Sequence, residues 1–182
     1  ECDPAVEDSG VARPAMGVFH HEAAAVDPEN EVVFLTEDEP DGAFYRFTPD
    51  AYPDLSAGLL EVASTDPDGS VTWYEVPDPS GANQPTRLQV PEVTAYDGGE
   101  GCWYADGIVY FTTKGDDHVR SLDPATDTIQ VVYDGTGLLE IGERVADPAR
   151  LRRAARCVRL GIEVEDDRLA AEVGQLDLLA GV

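Results

Sequence analysis

The sequence predicts an all-β protein, in the form of a partial β-propeller of antiparallel blades, on two observations. Short runs of β-branched and aromatic residues recur along the chain, each bounded by Pro, Gly, Asp or Ser, and no helical period lies between them. One longer pattern of residues also occurs twice. Evenly spaced short strands are typical of sandwiches, barrels and propellers, and repetition favours the propeller.

The predicted strands follow one another at short intervals along the chain. The first, 32–35 (VVFL), is separated by a turn-rich stretch from 43–48 (AFYRFT). The later ones are 59–63, 71–76, 87–90, 108–113, 118–122 and 128–133.

An internal repeat relates 21–50 to 99–124. In each copy a glutamate, Glu22 or Glu100, precedes a turn containing Asp, an apolar strand and a charged turn. A further strand with one arginine, Arg46 or Arg120, then leads to a closing turn. At about 40 residues a blade the two glutamates are two blades apart, so we expect both to point at one central axis, with 59–90 forming the blade between them. Chance similarity between two β-hairpins is the alternative.

The composition changes near residue 140. All aromatic residues lie between Phe19 and Tyr133, whereas Arg, Ala and Leu are frequent from 141 to 182. We therefore expect residues 1–140 to form the partial propeller and residues 141–182 to be an atypical tail, helical or irregular, for which a frame shift is one explanation. The chain opens without a methionine or a signal peptide, so we expect it to be a piece of a longer protein.

The protein is strongly acidic, with 37 Asp and Glu against 12 Lys and Arg and a formal net charge of −25. This balance argues against nucleic-acid binding and against an anionic membrane surface, both of which need a basic footprint. Clustered carboxylates bind hard cations such as calcium, although a solvated acidic surface is the simpler reading of most of them. We expect a monomer without nucleic-acid or membrane partners.

Two acidic motifs are candidate metal ligands. Glu22 ends a His-His-Glu run, and Glu37 and Asp38 belong to a row of acids after the strongest predicted strand. Successive acids at a strand end repel one another unless they are exposed or bridged by a cation. Hydrogen-bonded histidines and a solvated turn, respectively, are the alternatives.

Two further residues follow in the second copy of the repeat. Glu100 stands among glycines, which leave its carboxylate accessible, although an ordinary glycine-rich turn explains the glycines equally well. Lys114, the single lysine of the chain, could hold a phosphoryl group as a point charge. A surface ion pair between Lys114 and Asp116 is the alternative.

At these motifs the chain resembles the PhoX-type family of secreted bacterial alkaline phosphatases. The resemblance lies in MGVFHHEAAAVDP, VVFLTEDEPDGAFYRFTPD and DGGEGCWYADGIVYFTTKGDDHVRSLDP, within residues 1–137. It implies a propeller whose channel holds calcium and iron ions that bind and polarise a small phosphorylated substrate. Carried over to this chain, Glu22 and Glu100 would be metal ligands, assisted by Glu37 or Asp38. It also implies a secreted or periplasmic location.

The chain departs from the family's pattern at several places, among them Val18, where the family has a basic residue two before the motif histidine. Cys2 precedes Asp3 and does not match the Cys-Glu pair of the family's iron site, and Gly98 stands where the family's phosphatases carry an arginine. Three functions follow: a metal-dependent phosphoric monoester hydrolase or an incomplete piece of one, a non-catalytic calcium-binding propeller module, and a lactonase-type propeller hydrolase. We expect little activity from this chain alone.

Overall fold

A computed structural model describes residues 1–3 and 5–135 of the chain. The chain divides into two units, Glu1–Thr136 and Gly137–Val182, and the description below concerns the first. The predicted tail and the predicted division at residue 140 lie outside the described residues. No helix in the described part is long and apolar enough to cross a lipid bilayer.

The described residues confirm the all-β class. They form two antiparallel sheets, the first with strand order β1-β2-β3-β4-β5 and the second with order β6-β7-β8-β9. The strands are β1 (His21–Asp27), β2 (Val32–Glu37), β3 (Phe44–Ala51), β4 (Asp54–Thr65), β5 (Val71–Glu75), β6 (Gly99–Ala105), β7 (Ile108–Thr113), β8 (His118–Asp123) and β9 (Thr128–Asp134). Two short 3-10 helices, Pro14–Met16 and Thr86–Leu88, lie in the connecting segments. A closed propeller is not seen among these residues.

The strand predicted at 87–90 is wrong, because this segment is folded on itself. Asp78 and Gln89 hold the loop closed, since the Asp78 amide donates to Gln89 Oε1 and Gln89 Nε2 donates to the Asp78 carbonyl, both at 2.8 Å. Pro85 precedes the short helix and lacks an N–H group for a strand ladder.

The two copies of the repeat form the same local structure, β1–β3 in the first sheet and β6–β8 in the second. The blade predicted between them at 59–90 is wrong. β4 pairs with β3, with Val62 opposite Tyr45, and β5 pairs with β4, so both strands extend the first sheet. The two site glutamates therefore lie in neighbouring sheets, and β6 runs beside β1 and β2.

A core of aromatic and aliphatic side chains joins the two sheets. Phe44 of β3 stacks on Phe111 of β7 at 4.2 Å between ring centroids, and Tyr96 meets Phe111 edge-on at 5.3 Å. Burial of each such side chain stabilises the fold by about 1.5–3 kcal/mol. The other face of the first sheet packs its own buried cluster, which includes Tyr45 and Phe47, under the N-terminal segment and the 76–98 loop.

The two arginines aligned by the repeat are not equivalent. Arg46 lies opposite Phe34, the third residue of β2, whereas Arg120 lies opposite Phe111, the fourth residue of β7. Successive residues of a strand face opposite sides of its sheet. When the two copies of the repeat are aligned strand by strand, Arg46 and Arg120 therefore lie on opposite faces of their sheets. The resemblance between the copies thus extends to the strands and turns, and does not extend to this residue.

Candidate functional site

Glu22 and Glu100 occupy equivalent β-bulges, each in the first strand of its sheet. In β1 the partners change from His21 opposite Glu37 to Ala23 opposite Thr36, which leaves Glu22 as the extra residue. In β6 an extra residue lies between Gly99, opposite Thr113, and Cys102, opposite Phe111. A bulge bends the strand and redirects its side chains, which is why bulges recur beside functional sites.

A buried threonine links the two bulges. The amide of Ala23 donates to the Thr36 hydroxyl at 3.1 Å, and that hydroxyl donates to the carbonyl oxygen of Glu100 at 2.6 Å. β6 also approaches β2 very closely, because a β-carbon on Gly99 would lie 2.8 Å from the carbonyl oxygen of Glu37. Glycine at this position therefore brings Glu100 next to the end of β2.

The carboxylate of Glu22 is exposed and has no hydrogen-bond or ion-pair partner in the described part of the chain. Its neighbouring histidines are engaged by other protein groups. His20 Nδ1 lies 2.7 Å from Glu39 Oε1, and His21 stacks on Phe19 at 3.7 Å with Nε2 3.0 Å from the carbonyl oxygen of Gly17. Both histidines are thus held by other protein groups, as the alternative interpretation of this motif expected. Within the described residues, Glu22 is the member of the His-His-Glu run whose side chain has no such partner.

Lys114 brings together two of the predicted metal ligands. Its ammonium lies 2.5 Å from Asp38 Oδ1 and 2.9 Å from Glu100 Oε1. Hydrogen bonds to Asp38 and Glu100 raise the pKa of Lys114, although its side chain is 54% exposed. Asp116, the alternative partner considered for Lys114, pairs with Arg120 instead.

Glu37 is used in a buried network. Its Oε2 accepts hydrogen bonds from the Ala43 amide at 3.1 Å and from the Tyr45 hydroxyl at 2.8 Å, and its Oε1 pairs with Arg87 at 2.9 Å. Burial, together with the charge of Glu37, raises the pKa of Tyr45. Because Glu37 is 0% exposed, binding a metal would require it to give up one of these partners.

Arg87 is the important residue that sequence reasoning missed. Besides Glu37 it contacts Asp41 Oδ1 at 2.8 Å, and its Nη2 lies 3.8 Å from Glu39 Oε2. Together with Lys114 it neutralises the row of acids that follows β2. The sequence predicts that these acids repel one another unless they are exposed or bridged by a cation, and two basic side chains of the protein pair with them. No local signal in the sequence points to Arg87, because it lies on a distant loop.

The predicted ligands are carboxylate oxygens, the donors that hard cations such as calcium prefer. Calcium takes about six to eight oxygen ligands, and Asp38 and Glu100 already converge on one positive charge. The described residues contain no group of three or more His, Cys, Asp or Glu side chains that could hold an ion by themselves. Burial raises the pKa of the Cys102 thiol, two residues after Glu100, to about 12, so the thiol without a metal is protonated at neutral pH.

One positively charged side chain at this site, that of Lys114, is accessible to a phosphate group. Each Lys and Arg of the described part of the chain is ion-paired with a carboxylate, and among the cationic groups next to Glu100 the exposed one is Lys114. Contact with a phosphoryl oxygen would draw that ammonium away from Asp38 or Glu100.

Comparison with protein families supports the resemblance seen in the sequence. The family model described as alkaline phosphatase PhoX matches residues 1–137, which include all the strands and site residues described above. No curated protein and no solved structure matches the chain. Because the match covers well over half of the sequence, the chain belongs to the alkaline phosphatase PhoX family.

Proposed function

We propose that the protein is a phosphoric monoester hydrolase of the PhoX type, or an incomplete piece of one, that works with bound calcium. Membership of the family associates the chain with alkaline phosphatase-type hydrolases, which are metal-dependent in general. The observation that carries the proposal is the equivalence of the Glu22 and Glu100 bulges, joined through Thr36.

The charge of the substrate gives a physical reason for the cation. A phosphoric monoester is anionic, so a site made of exposed carboxylates alone would repel it. Calcium would supply the positive charge that neutralises and polarises the phosphoryl group. Asp38 and Glu100, which converge on one positive charge, would contact the ion. Glu22 would assist, and ligands beyond the described residues would complete the site. Lys114 would contact a phosphoryl oxygen. Glu37 stays a less suitable ligand because both of its oxygens already accept hydrogen bonds or ion pairs.

The partial propeller is also proposed as the architecture that carries this site. The first sheet packs its Phe44 face on the Phe111 face of the second sheet. The face of the second sheet that is equivalent in the repeat to the Phe44 face carries Trp103 and Tyr110. This face is exposed to solvent. Each sheet thus offers one face to its predecessor and the opposite face onward, as successive blades do around an axis.

A second candidate function is calcium binding without catalysis. It is favoured by the saturation of positive charge, because each Lys and Arg in the described part already neutralises a carboxylate. For the same reason we expect turnover by this chain to be slow. Iron is the other metal that the resemblance implies, and ferric iron would use the same carboxylate oxygens.

The family is typically extracellular or periplasmic, and we propose that location for this protein. We further propose that it acts as a monomer on small phosphorylated molecules. An acidic surface of this strength would keep nucleic acids and anionic membranes away.

The experiment is a calcium titration followed by vanadate, an analogue of the phosphoryl group. The melting temperature of the 182-residue chain is recorded with increasing calcium, then with vanadate in the presence and absence of calcium. We expect calcium to raise the melting temperature and vanadate to raise it further only when calcium is present. Hydrolysis of p-nitrophenyl phosphate is measured in parallel, and metal content by mass spectrometry.

The variants Glu22→Gln and Glu100→Gln should each reduce the calcium response. The matched control is Glu92→Gln, which removes one exposed carboxylate away from the site and should behave as the wild type. A calcium response without a vanadate response would favour the non-catalytic function. The absence of any calcium response would contradict the proposal.

A further inference from the structure

Lys114 and Gly98 are packed so closely that each fixes the other. The Lys114 amide donates to the carbonyl oxygen of Gly98 at 2.9 Å, and the lysine side chain then crosses the glycine. A β-carbon on Gly98 would lie 2.6 Å from Lys114 Cγ and 2.8 Å from Lys114 Cε. Gly98 also has φ +64°, a left-handed conformation that favours glycine. The lysine can therefore take this path only because residue 98 has no side chain.

The path carries the ammonium to a place between two carboxylates from different sheets. Asp38 follows β2 of the first sheet, and Glu100 lies on the β6 bulge of the second. Both contacts are short, at 2.5 Å and 2.9 Å. A lysine ammonium is a compact point charge, so at this position it neutralises the same two carboxylates that a bound divalent cation would.

We propose that Lys114 is the resident cation of the Asp38–Glu100 pair, and that it competes with divalent cations for these two carboxylates. The inference rests on the proposed function, because it concerns cation loading of that same site. Because the packing of Lys114 over Gly98 holds the ammonium between the two carboxylates, this packing lowers the calcium affinity of the site. Calcium must displace the ammonium to gain Asp38 and Glu100, so the wild-type protein binds it weakly.

Calcium affinity is measured by isothermal titration calorimetry on the full chain and two kinds of variant. Lys114→Gln removes the competing charge and should tighten calcium binding at least about fivefold, the lower range for one unit charge at contact distance. Lys114→Arg keeps the charge and should bind calcium much as the wild type does. Arg13→Gln is the matched control for net charge, because Arg13 pairs with Glu1 away from the site.

The second kind of variant leaves the lysine in place. Gly98→Ala inserts a β-carbon into the path of Lys114 and should also tighten calcium binding, without any change of charge. Its control is Gly107→Ala, which adds a β-carbon at φ +83° with nothing within 4 Å. The control therefore carries a comparable backbone strain but leaves Lys114 where it is.

Equal calcium affinities for the wild type, Lys114→Gln and Gly98→Ala would overturn the inference. So would a gain in Lys114→Gln that persists in the double variant with Glu100→Gln. Tighter calcium binding by Lys114→Gln, together with no vanadate response of the calcium-loaded wild type, would support the inference while removing the proposed hydrolase function. Circular dichroism spectra confirm that each variant is folded before it is compared.

Discussion

The hydroxyl of Thr36 donates a hydrogen bond to the carbonyl oxygen of Glu100 at 2.6 Å and so ties the two sheets together at the level of both site glutamates. The same hydroxyl accepts a hydrogen bond from the amide that follows Glu22. Thr36 is 1% exposed, so water cannot replace either bond. One buried side chain therefore sets the spacing of two bulges that come from distant parts of the sequence.

Replacing Thr36 by valine should lower the free energy of unfolding by about 1–3 kcal/mol, the cost of leaving buried polar groups unpaired. Urea denaturation measures this loss. Thr112→Val is the matched control, because Thr112 is the corresponding threonine of the second sheet. Among the described residues its hydroxyl makes one hydrogen bond, to the Gly101 carbonyl, which is long at 3.5 Å. Equal losses in the two variants would contradict the linking role of Thr36.

Removal of Arg87, whose partner Glu37 is buried, should cost far more than removal of Arg13, whose partner Glu1 is exposed. Arg87→Ala leaves the fully buried Glu37 without its ion-pair partner, and breaking a buried pair in this way costs about 3–5 kcal/mol. Arg13→Ala breaks an exposed pair with Glu1 and should cost at most about 1 kcal/mol. Both are read from urea denaturation. A loss below about 1 kcal/mol for Arg87→Ala would mean that Glu37 finds water or another partner.

Seven of the nine described strands, all except β1 and β6, could be predicted from the sequence because their signals are local. A run such as VVFL at 32–35 is apolar on both faces, and β2 is indeed buried on both. Which strands pair with one another was harder to predict from the sequence. β4 is a 12-residue strand, of which only 59–63 is apolar enough to be recognised, and nothing local says which sheet it joins. The blade assigned to 59–90 failed for that reason.

The sequence singles out the candidate acids and Lys114, whose metal-binding and phosphate-binding roles stay predictions, but it does not predict which basic side chains pair with the acids. Glu22 and Glu100 follow from the repeat, because a bulge conserves the order of residues around it. Arg87 reaches Glu37 from a loop fifty residues further along the chain, and such a contact leaves no local trace. Lys114 was recognised as a lone cation, but its path depends on the packing over Gly98, which no spacing in the sequence reveals.

A second group of charges lies at the C-terminal end of β7, just after Lys114 in the sequence. Asp116 accepts hydrogen bonds from Thr113 and Arg120, and His118 Nδ1 lies 2.9 Å from its carboxylate. Burial works against ionisation of Asp116, but the hydrogen bonds from Arg120 and Thr113 outweigh it and lower the pKa from 3.8 to about 2. The folded state therefore holds the ionised carboxylate more firmly than the unfolded state does.

This depressed pKa has a defined effect on acid stability. Its contribution is fully present above the unfolded pKa of 3.8 and is lost as the pH falls to about 2. Melting temperatures measured from pH 5 to pH 2 should therefore fall more steeply for the wild type than for Asp116→Asn. Glu92→Gln, which removes an exposed carboxylate outside this group, is the control and should follow the wild type. Parallel curves for the wild type and Asp116→Asn would show that Arg120 does not favour the charged form.

The two tryptophans report on the two sides of the second sheet. Trp73 is partly buried between the sheets, where its indole N–H donates to Asp127 at 2.8 Å and the Arg46 guanidinium lies 4.5 Å from its ring centre. Trp103 is 67% exposed on the outward face. Acrylamide should therefore quench Trp73→Phe, which retains Trp103, more steeply than Trp103→Phe, and the emission of Trp73→Phe should lie further to the red. Equal quenching of the two variants would mean that the outward face is covered in solution, because a partly buried and an exposed indole cannot otherwise be reached equally well.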